Sequence, residues 1–478
     1  MRVRAVIGAG LVAVLAATAG TRLTAQTSST PDWTKLQDET LRHFQAVLRL
    51  DTQYPPGNEY LVTDYVKGVL EKEGIPVEIY ALDPKRPNLV ARLKGSGRRK
   101  PVLFMAHSDV VSVDPKKWTF PPFSATRDGG YVYGRGSLDD KPHVVAGLMT
   151  LLTLKRMNVA LDRDVILLIE SGEEGSTGPG IEFMTKQHAD AIEAEFCFAE
   201  GGNVARTGGR VAYASVQTTE KQPRTIELVA NGPSGHASRP LQGNAVVHLA
   251  AAVAAAGRWR VPVRLNDTTR AFFTKMAEVS APEAAARYRA ILDPTSPAGR
   301  AADDYMAEHE PGYASMLRTS ISPTIINGGY RTNVIPSEAT ATLDVRWLPD
   351  ENQDAFLAEL RKVINDPAVT VRFASDTGNV RPAARPSLLT SEAFRVVQSA
   401  VARNYDTVVI PQMSTGATDM AFMRATGPDC YGIGPASDIE DVLKGFGAHS
   451  DQERILEPEV YRFVRFAYEI VFDLARRN

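Results

Sequence analysis

Cysteine is nearly absent: the 478-residue chain carries only Cys197 and Cys430. Two cysteines are too few for a disulfide framework, and their spacing matches no structural zinc or C-x-x-C redox motif. Cys197, inside the apolar AEFCFAE, reads as a buried strand thiol. Charge of one sign is also missing. Lys and Arg number 54 against 56 Asp and Glu, for a net charge of -2, so no global basic field draws in nucleic acid or an anionic membrane. What remains is an ordinary soluble composition, 44% hydrophobic and 23% charged, in a chain long enough for two domains with sizeable cores.

The N-terminus differs from the rest. Arg2 and Arg4 precede an uncharged run from Ala5 to Gly20, followed by Thr/Ser/Gln-rich sequence with small residues at Ala17-Thr18-Ala19 and Ala25. This pattern predicts a secretory signal peptide over residues 1–25, a mature chain from about residue 26, and a periplasmic or secreted location. The run is short for a membrane span, which leaves an uncleaved N-terminal anchor as the alternative. No cysteine precedes Cys197, which excludes anchoring as a lipoprotein.

From residue 26 to 221, helical three- and four-residue spacing gives way to short apolar strands (NLVARLKG, PVLFMAHSDV, DVILLIES, AEFCFAE) alternating with helices such as HVVAGLMTLLTLKRM. Nearly continuous apolar strands predict an α/β domain with a mostly parallel sheet, whose ligands gather at the carboxyl ends of the strands. Near residue 222 the pattern changes to β-α-β-β-α-β, the order of a small ferredoxin-like α+β domain over 222–378. A polar, Ala-rich helical insertion interrupts it at about 258–318. After the Pro-rich RPAARPS, α/β character resumes over 379–478. The expected architecture is one catalytic domain in two segments, interrupted by an inserted lid.

Polar residues cluster at the strand ends. In MAHSDVV, His107 and Asp109 lie two apart, so in extended chain both side chains point to one side and the carboxylate can accept the second imidazole N–H. In YGRGSLDDKPH, Asp139, Asp140 and Lys141 crowd the start of a helix, where carboxylates are favoured by the dipole. LIESGEEGSTGPG sets Glu173 beside Glu174 where a strand ends, FAEGGN places Glu200 directly after another, and GFGAHSDQERI carries His449. Singly, each reads as well as a helix cap or a strand-end polar group. Together they form a His/Asp/Glu donor set suited to zinc, or to manganese or cobalt.

HSDVV, GRGSLDDK, SGEEGS, AEGG, GPSGHAS, RTNVIPSEA and GAHSDQER, in that order over nearly the whole mature chain, resemble the M20 metallopeptidases, which include aminoacylase, carboxypeptidase S-like and glutamate carboxypeptidase-like enzymes. The resemblance implies two divalent metal ions, usually zinc, in a zinc-peptidase-like catalytic domain. By position, Asp139 matches the bridging carboxylate, and His107, Glu174, Glu200 and His449 match the remaining ligands. Glu173 matches the base, Asp109 the residue that orients the site, and His236 in GPSGHAS a histidine that reaches an active site, often the partner subunit's, to stabilise an oxyanion. Asn333 and Arg346 match a pair suited to a substrate carboxylate, and Gly416 in STGATDM a loop lining the substrate pocket with backbone donors. Two departures stand out. Ala199 replaces an Asp frequent before the ligand Glu, and Ser171-Gly172 replaces a more acidic lead into the Glu pair.

The expected activity is exported di-metal hydrolysis of an amide bond next to a free carboxylate in dipeptides or short peptides. A metal-activated bridging water and the Glu173 general base would carry it out. The alternative is an aminoacylase-type N-acyl amino acid amidohydrolase, and a remoter one is a binding protein that has lost its chemistry. A serine hydrolase is excluded because GPSGHAS is not G-x-S-x-G. Expected partners are the small substrate and a second copy docked through the lid, unless the insertion covers that edge.

Overall fold

The computed structural model describes Met1 and residues 30–375 and 380–477. Beyond Met1, the expected signal peptide lies outside the described residues. The chain opens with α1 (Trp33–Leu48), capped by the Asp32 carboxylate and burying Thr40, Phe44, Val47 and Leu48 on one stripe. Each large apolar side chain withdrawn from water in this way contributes roughly 1.5–3 kcal/mol. Then follow α2 (Tyr60–Lys72), β1 (Val77–Tyr80), β2 (Asn88–Leu93) and β3 (Val102–His107). After α3 (Lys141–Arg156) come β4 (Val165–Glu170), β5 (Phe196–Ala199), β6 (Asn203–Thr207) and β7 (Arg210–Glu220). Every residue of β3 and β4 is buried, which is why their sequences show no alternation. α3 is buried along nearly its whole length. Its Gly147 lets the helix backbone lie against the sheet, since a Cβ there would fall 2.4 Å from Leu167 Cδ1.

The lid begins with β8 (Gln222–Asn231), α4 (Ala245–Arg258) and an insertion of four helices, α5 (Asp267–Val279), α6 (Pro282–Ala290), α7 (Pro297–His309) and α8 (Pro311–Met316). It closes with β9 (Ser320–Gly328), β10 (Glu338–Trp347), α9 (Gln353–Ile364) and β11 (Val369–Phe373). The order β9-β10-β8-β11 is antiparallel throughout, as the ferredoxin-like pattern requires. α4 and α9 cover one face around the fully buried Trp347. Phe272, Phe273, Met306 and Leu317 of the insertion pack on Ile410 and Met413 of the catalytic domain. The insertion therefore leaves the β9 edge open, with Ile325 and Ile326 exposed.

The second catalytic segment adds α10 (Glu392–Tyr405), β12 (Val409–Ser414), β13 (Asp429–Gly432), β14 (Ala436–Asp438) and α11 (Glu457–Ala475). The completed sheet runs β1-β2-β4-β3-β5-β13-β7-β6-β14, with β12 also on β7. It is mixed within the expected α/β class, and its parallel pairings, which include β14 on β6 and β12 on β7, outnumber the antiparallel ones. β4-β3-β5-β13 run parallel, but β1, β2 and the β6/β7 hairpin join antiparallel. Apolar runs report burial on both faces and carry no information on strand direction. Among the described residues no helix is long and apolar enough to cross a membrane.

A correction concerns the cysteines. β5 and β13 are neighbours, Cys197 lies opposite Cys430, their Cα atoms are 4.4 Å apart, and the two form a disulfide in place of the expected buried thiol. A separation of 233 residues hides this pairing in the sequence. Denatured without reductant, the protein should show no titratable thiol, and its two only after reduction; two thiols before reduction would restore the thiol reading.

Candidate metal centre

His107 is the last residue of β3, and Asp109 follows it out of the strand. The His107 Nδ1 lies 3.0 Å from the backbone carbonyl of Asp109, with the Asp109 carboxylate further off at 3.6 Å. The backbone rather than the carboxylate thus orients the ring, because the chain turns after His107. The buried carboxylate serves the neighbouring loop. It accepts the N–H of Gly172 at 2.9 Å, Glu173 at 3.2 Å and Glu174 at 3.0 Å. Asp109 is in this way the template for the turn that presents the two glutamates at the end of β4.

With Nδ1 engaged, the buried His107 Nε2 turns to the carboxylates, 2.9 Å from Asp139 Oδ1 and 3.8 Å from Glu200 Oε2. On the other side, the His449 Nε2 lies 3.1 Å from Asp139 Oδ2 and 2.9 Å from Glu174 Oε1. The two oxygens of Asp139 therefore face two different histidines, each with its own glutamate. All five residues expected as ligands converge, and adjacent Glu173 and Glu174 diverge as anticipated. Glu174 turns to His449, while Glu173 takes a 2.5 Å hydrogen bond from Arg381.

Several supporting residues escaped the sequence reading. Glu453 is wholly buried and accepts from the N–H groups of Gly136 at 3.1 Å, Leu138 at 2.7 Å and Asp139 at 3.3 Å, and from Arg135 at 2.6 Å. Its position in GAHSDQER, four residues after His449, was the available signal. Asp140 is no solvated helix cap: buried, it pairs with His143 and accepts the His107 N–H at 3.2 Å. Arg381 had no signal beyond lying in a Pro-rich link. His449 itself sits at φ 62°, a left-handed conformation uncommon outside glycine and often found where function constrains the backbone.

The electrostatics describe a site short of positive charge. Burial pushes Glu200 up to about 7, with the charge of Asp139 adding to it. Burial and Glu200 hold Glu173 well above the usual carboxylate range, against the pull of Arg381. Asp139 and Glu174 push His449 up to about 10. Burial opposes protonation of His107, yet Asp109, Asp139 and Glu200 outweigh it and hold that imidazole well above its ordinary value. Borderline and hard donors paired around a shared carboxylate, in a cluster that needs cations, fit a pair of divalent metal ions.

The centre opens into a cleft of about 750 Å³ between the domains, lined also by Arg346, Arg381, Ser414, Gly416 and Thr418. Arg346 gives Nε and Nη2 to Asp344 at 2.7 and 3.0 Å, leaving its Nη1 end without a hydrogen-bond partner among the described residues. Gly416 lines the cleft as expected, but its N–H donates to Ser414 Oγ at 3.1 Å and is no free donor. The expected pairing of Asn333 with Arg346 is corrected. Asn333 and His236 lie exposed, where the two-stranded ribbon Gly235–His236 with Val334–Ile335 stands outside this chain's own cleft. Asn333 precedes β10 and Arg346 lies near its far end, so the extended ten-residue strand holds them apart.

A two-domain α/β scaffold with a carboxylate–histidine centre at the strand ends defines a class of hydrolases acting on amide and peptide bonds. The chain belongs to peptidase family M20/M25/M40, whose family model matches residues 103–473. It is 30% identical over 391 residues to a probable carboxypeptidase S-like 2 of Dictyostelium discoideum, covering 78% of this chain and 71% of that protein. It is 27% identical over 380 residues to the human N-fatty-acyl-amino acid synthase/hydrolase PM20D1, covering 78% and 74%. In fold it resembles an M20 family metallo-carboxypeptidase from Sulfolobus solfataricus, with a TM-score of 0.68 at 20% identity over 91% of this chain and 98% of that one. It also resembles a dinuclear metal binding peptidase of Bacillus subtilis, with a TM-score of 0.59 at 15% identity over 92% and 99%.

The geometry separates the two glutamates experimentally. Glu173→Ala should keep metal content near wild type while turnover falls by about 10²- to 10⁴-fold, the usual contribution of a general base. Glu174→Ala should lower metal content, measured by elemental analysis after gel filtration. Equal metal loss in both would refute the division. Glu453→Ala, which frees the Gly136 to Asp139 amides, should also lower metal content.

Proposed function

We propose that this protein is an exported di-metal hydrolase that cleaves the amide bond next to a free carboxylate in dipeptides and short peptides. The observation that carries this reading is the pair of histidines facing opposite oxygens of Asp139, with Glu173 beside them and bonded elsewhere. His107, Glu200, Asp139, Glu174 and His449 would hold two divalent cations, with zinc the first candidate and manganese and cobalt next. Such a pair, when bound, supplies the charge that polarises a scissile carbonyl and acidifies a water.

The chain's own residues do the rest. Glu173 takes a proton from water and returns it to the leaving nitrogen. The vacant Nη1 end of Arg346 receives the substrate carboxylate while Asp344 holds the fork in place. His236, exposed on the lid ribbon, completes the cleft of a second copy. The open β9 edge, with exposed Ile325 and Ile326, supports docking between lids. Export accords with the signal-peptide pattern at residues 1–25 and with a buried disulfide, a bond that persists in oxidising compartments.

N-acyl amino acids form the second reading, favoured by the similarity to the human N-fatty-acyl-amino acid enzyme. They present the same amide and carboxylate to the same residues. A panel of dipeptides beside short- and long-chain N-acyl amino acids, run with zinc, manganese and cobalt, should show the highest kcat/KM on dipeptides. A preference for acyl substrates would move the assignment to the second reading, and full metal content without turnover on any would leave a binding protein. Chelation should abolish the activity and re-addition of metal restore it. The mature protein should elute as a dimer on gel filtration, and Ile326→Lys should yield a monomer with reduced turnover.

A further inference from the structure

Glu173 poses a problem that its neighbours do not. One of its carboxylate oxygens lies in a group with ring and carboxylate atoms of His107 and Glu200, all within 4.8 Å of one another. On position alone it could bind a metal ion, and a carboxylate engaged in that way is lost as a proton acceptor. Among the described residues, what holds it otherwise is Arg381, whose Nη2 donates to Glu173 Oε1 at 2.5 Å.

The guanidinium is itself fixed. Its Nε donates to the Thr418 carbonyl at 3.1 Å, its Nη2 also reaches Asp419 Oδ1 at 3.3 Å, and the side chain is only 8% exposed. Thr418 is anchored in turn, giving its N–H to Glu220 at 2.9 Å and its hydroxyl to the same carboxylate at 2.7 Å, while Arg424 closes on Glu220 at 2.9 Å. Glu220 ends β7 at the junction with the lid, Arg381 follows the lid, and Thr418 follows β12. The chain of contacts therefore forms only when both catalytic segments and the lid junction are docked. Charge-assisted bonds of this kind are about twice as strong as neutral ones, enough to set which way a carboxylate turns.

We propose that Arg381 is a positioning residue that occupies one oxygen of Glu173 and thereby keeps this glutamate a base rather than a metal ligand. The proposal rests on the di-metal hydrolase reading, and its effect passes through Glu173 alone.

The test compares wild type, Arg381→Ala and Arg381→Lys in the full chain loaded with zinc. It measures kcat and KM on the best substrate of the panel, metal content, thermal midpoint, and ligand number by zinc X-ray absorption. In Arg381→Ala, kcat should fall about a hundredfold, as misplacement of a reacting group does, with KM and metal content nearly unchanged. One additional oxygen ligand should appear in the absorption spectrum, and Arg381→Lys should recover part of the rate and the wild-type ligand number. An unchanged kcat, or a rate loss that tracks a lower thermal midpoint or lost metal with no added ligand, would overturn the proposal. If Arg381→Ala does not fold, Arg381→Gln takes its place: a lower kcat with one added oxygen ligand at full metal content supports the proposal, and wild-type kcat with the wild-type ligand number overturns it. If wild type hydrolyses nothing, the hydrolase reading fails, while the ligand number still judges Arg381.

Discussion

Like charges crowded at the carboxyl edge of one sheet are the constraint around which this protein is built. Asp139, Glu173, Glu174 and Glu200 meet within the space of two imidazoles, and burial drives Glu173 and Glu200 toward protonation. Such a cluster is tolerable because each carboxylate has an assigned counter-charge. Two are matched by His449, one by Arg381 and the remainder by His107 and the cations the donors fit. The strand ends supply the positions, and the loops that follow supply the directions.

Those loops are held by a second set of acids that never face the cleft. Asp109 gathers three successive amides before and through the glutamate pair, Glu453 gathers three along the Gly136 to Asp139 loop, and Asp140 holds the backbone of His107. A buried carboxylate is costly unless its oxygens are saturated with donors, and here the donors are the backbone of the functional loops. The same expense that makes these acids improbable in a core makes them effective templates, since the loop cannot shift without leaving a charge unpaired.

The residues that could be read in advance were those whose role follows from local position. His107, Glu200 and the glutamate pair end apolar strands, and Asp139 opens a helix, so the fold alone brings them to one edge. The lid's β-α-β-β-α-β order was likewise legible, because its strands alternate between a buried and an open face. Strand direction in the main sheet was not, since fully buried strands look alike either way. Nor was the partner of Arg381, which reaches Glu173 across 208 residues.

By itself the sequence determined the alternation of elements and which polar residues stand at the strand ends, because periodicity and strand-end placement are local properties of the chain. Only the tertiary structure decided that Cys197 meets Cys430 and that Glu173 and Glu174 part toward Arg381 and His449. Each of these depends on which distant segments are brought within a few ångströms, and that is set by packing between segments and not by any pattern within one.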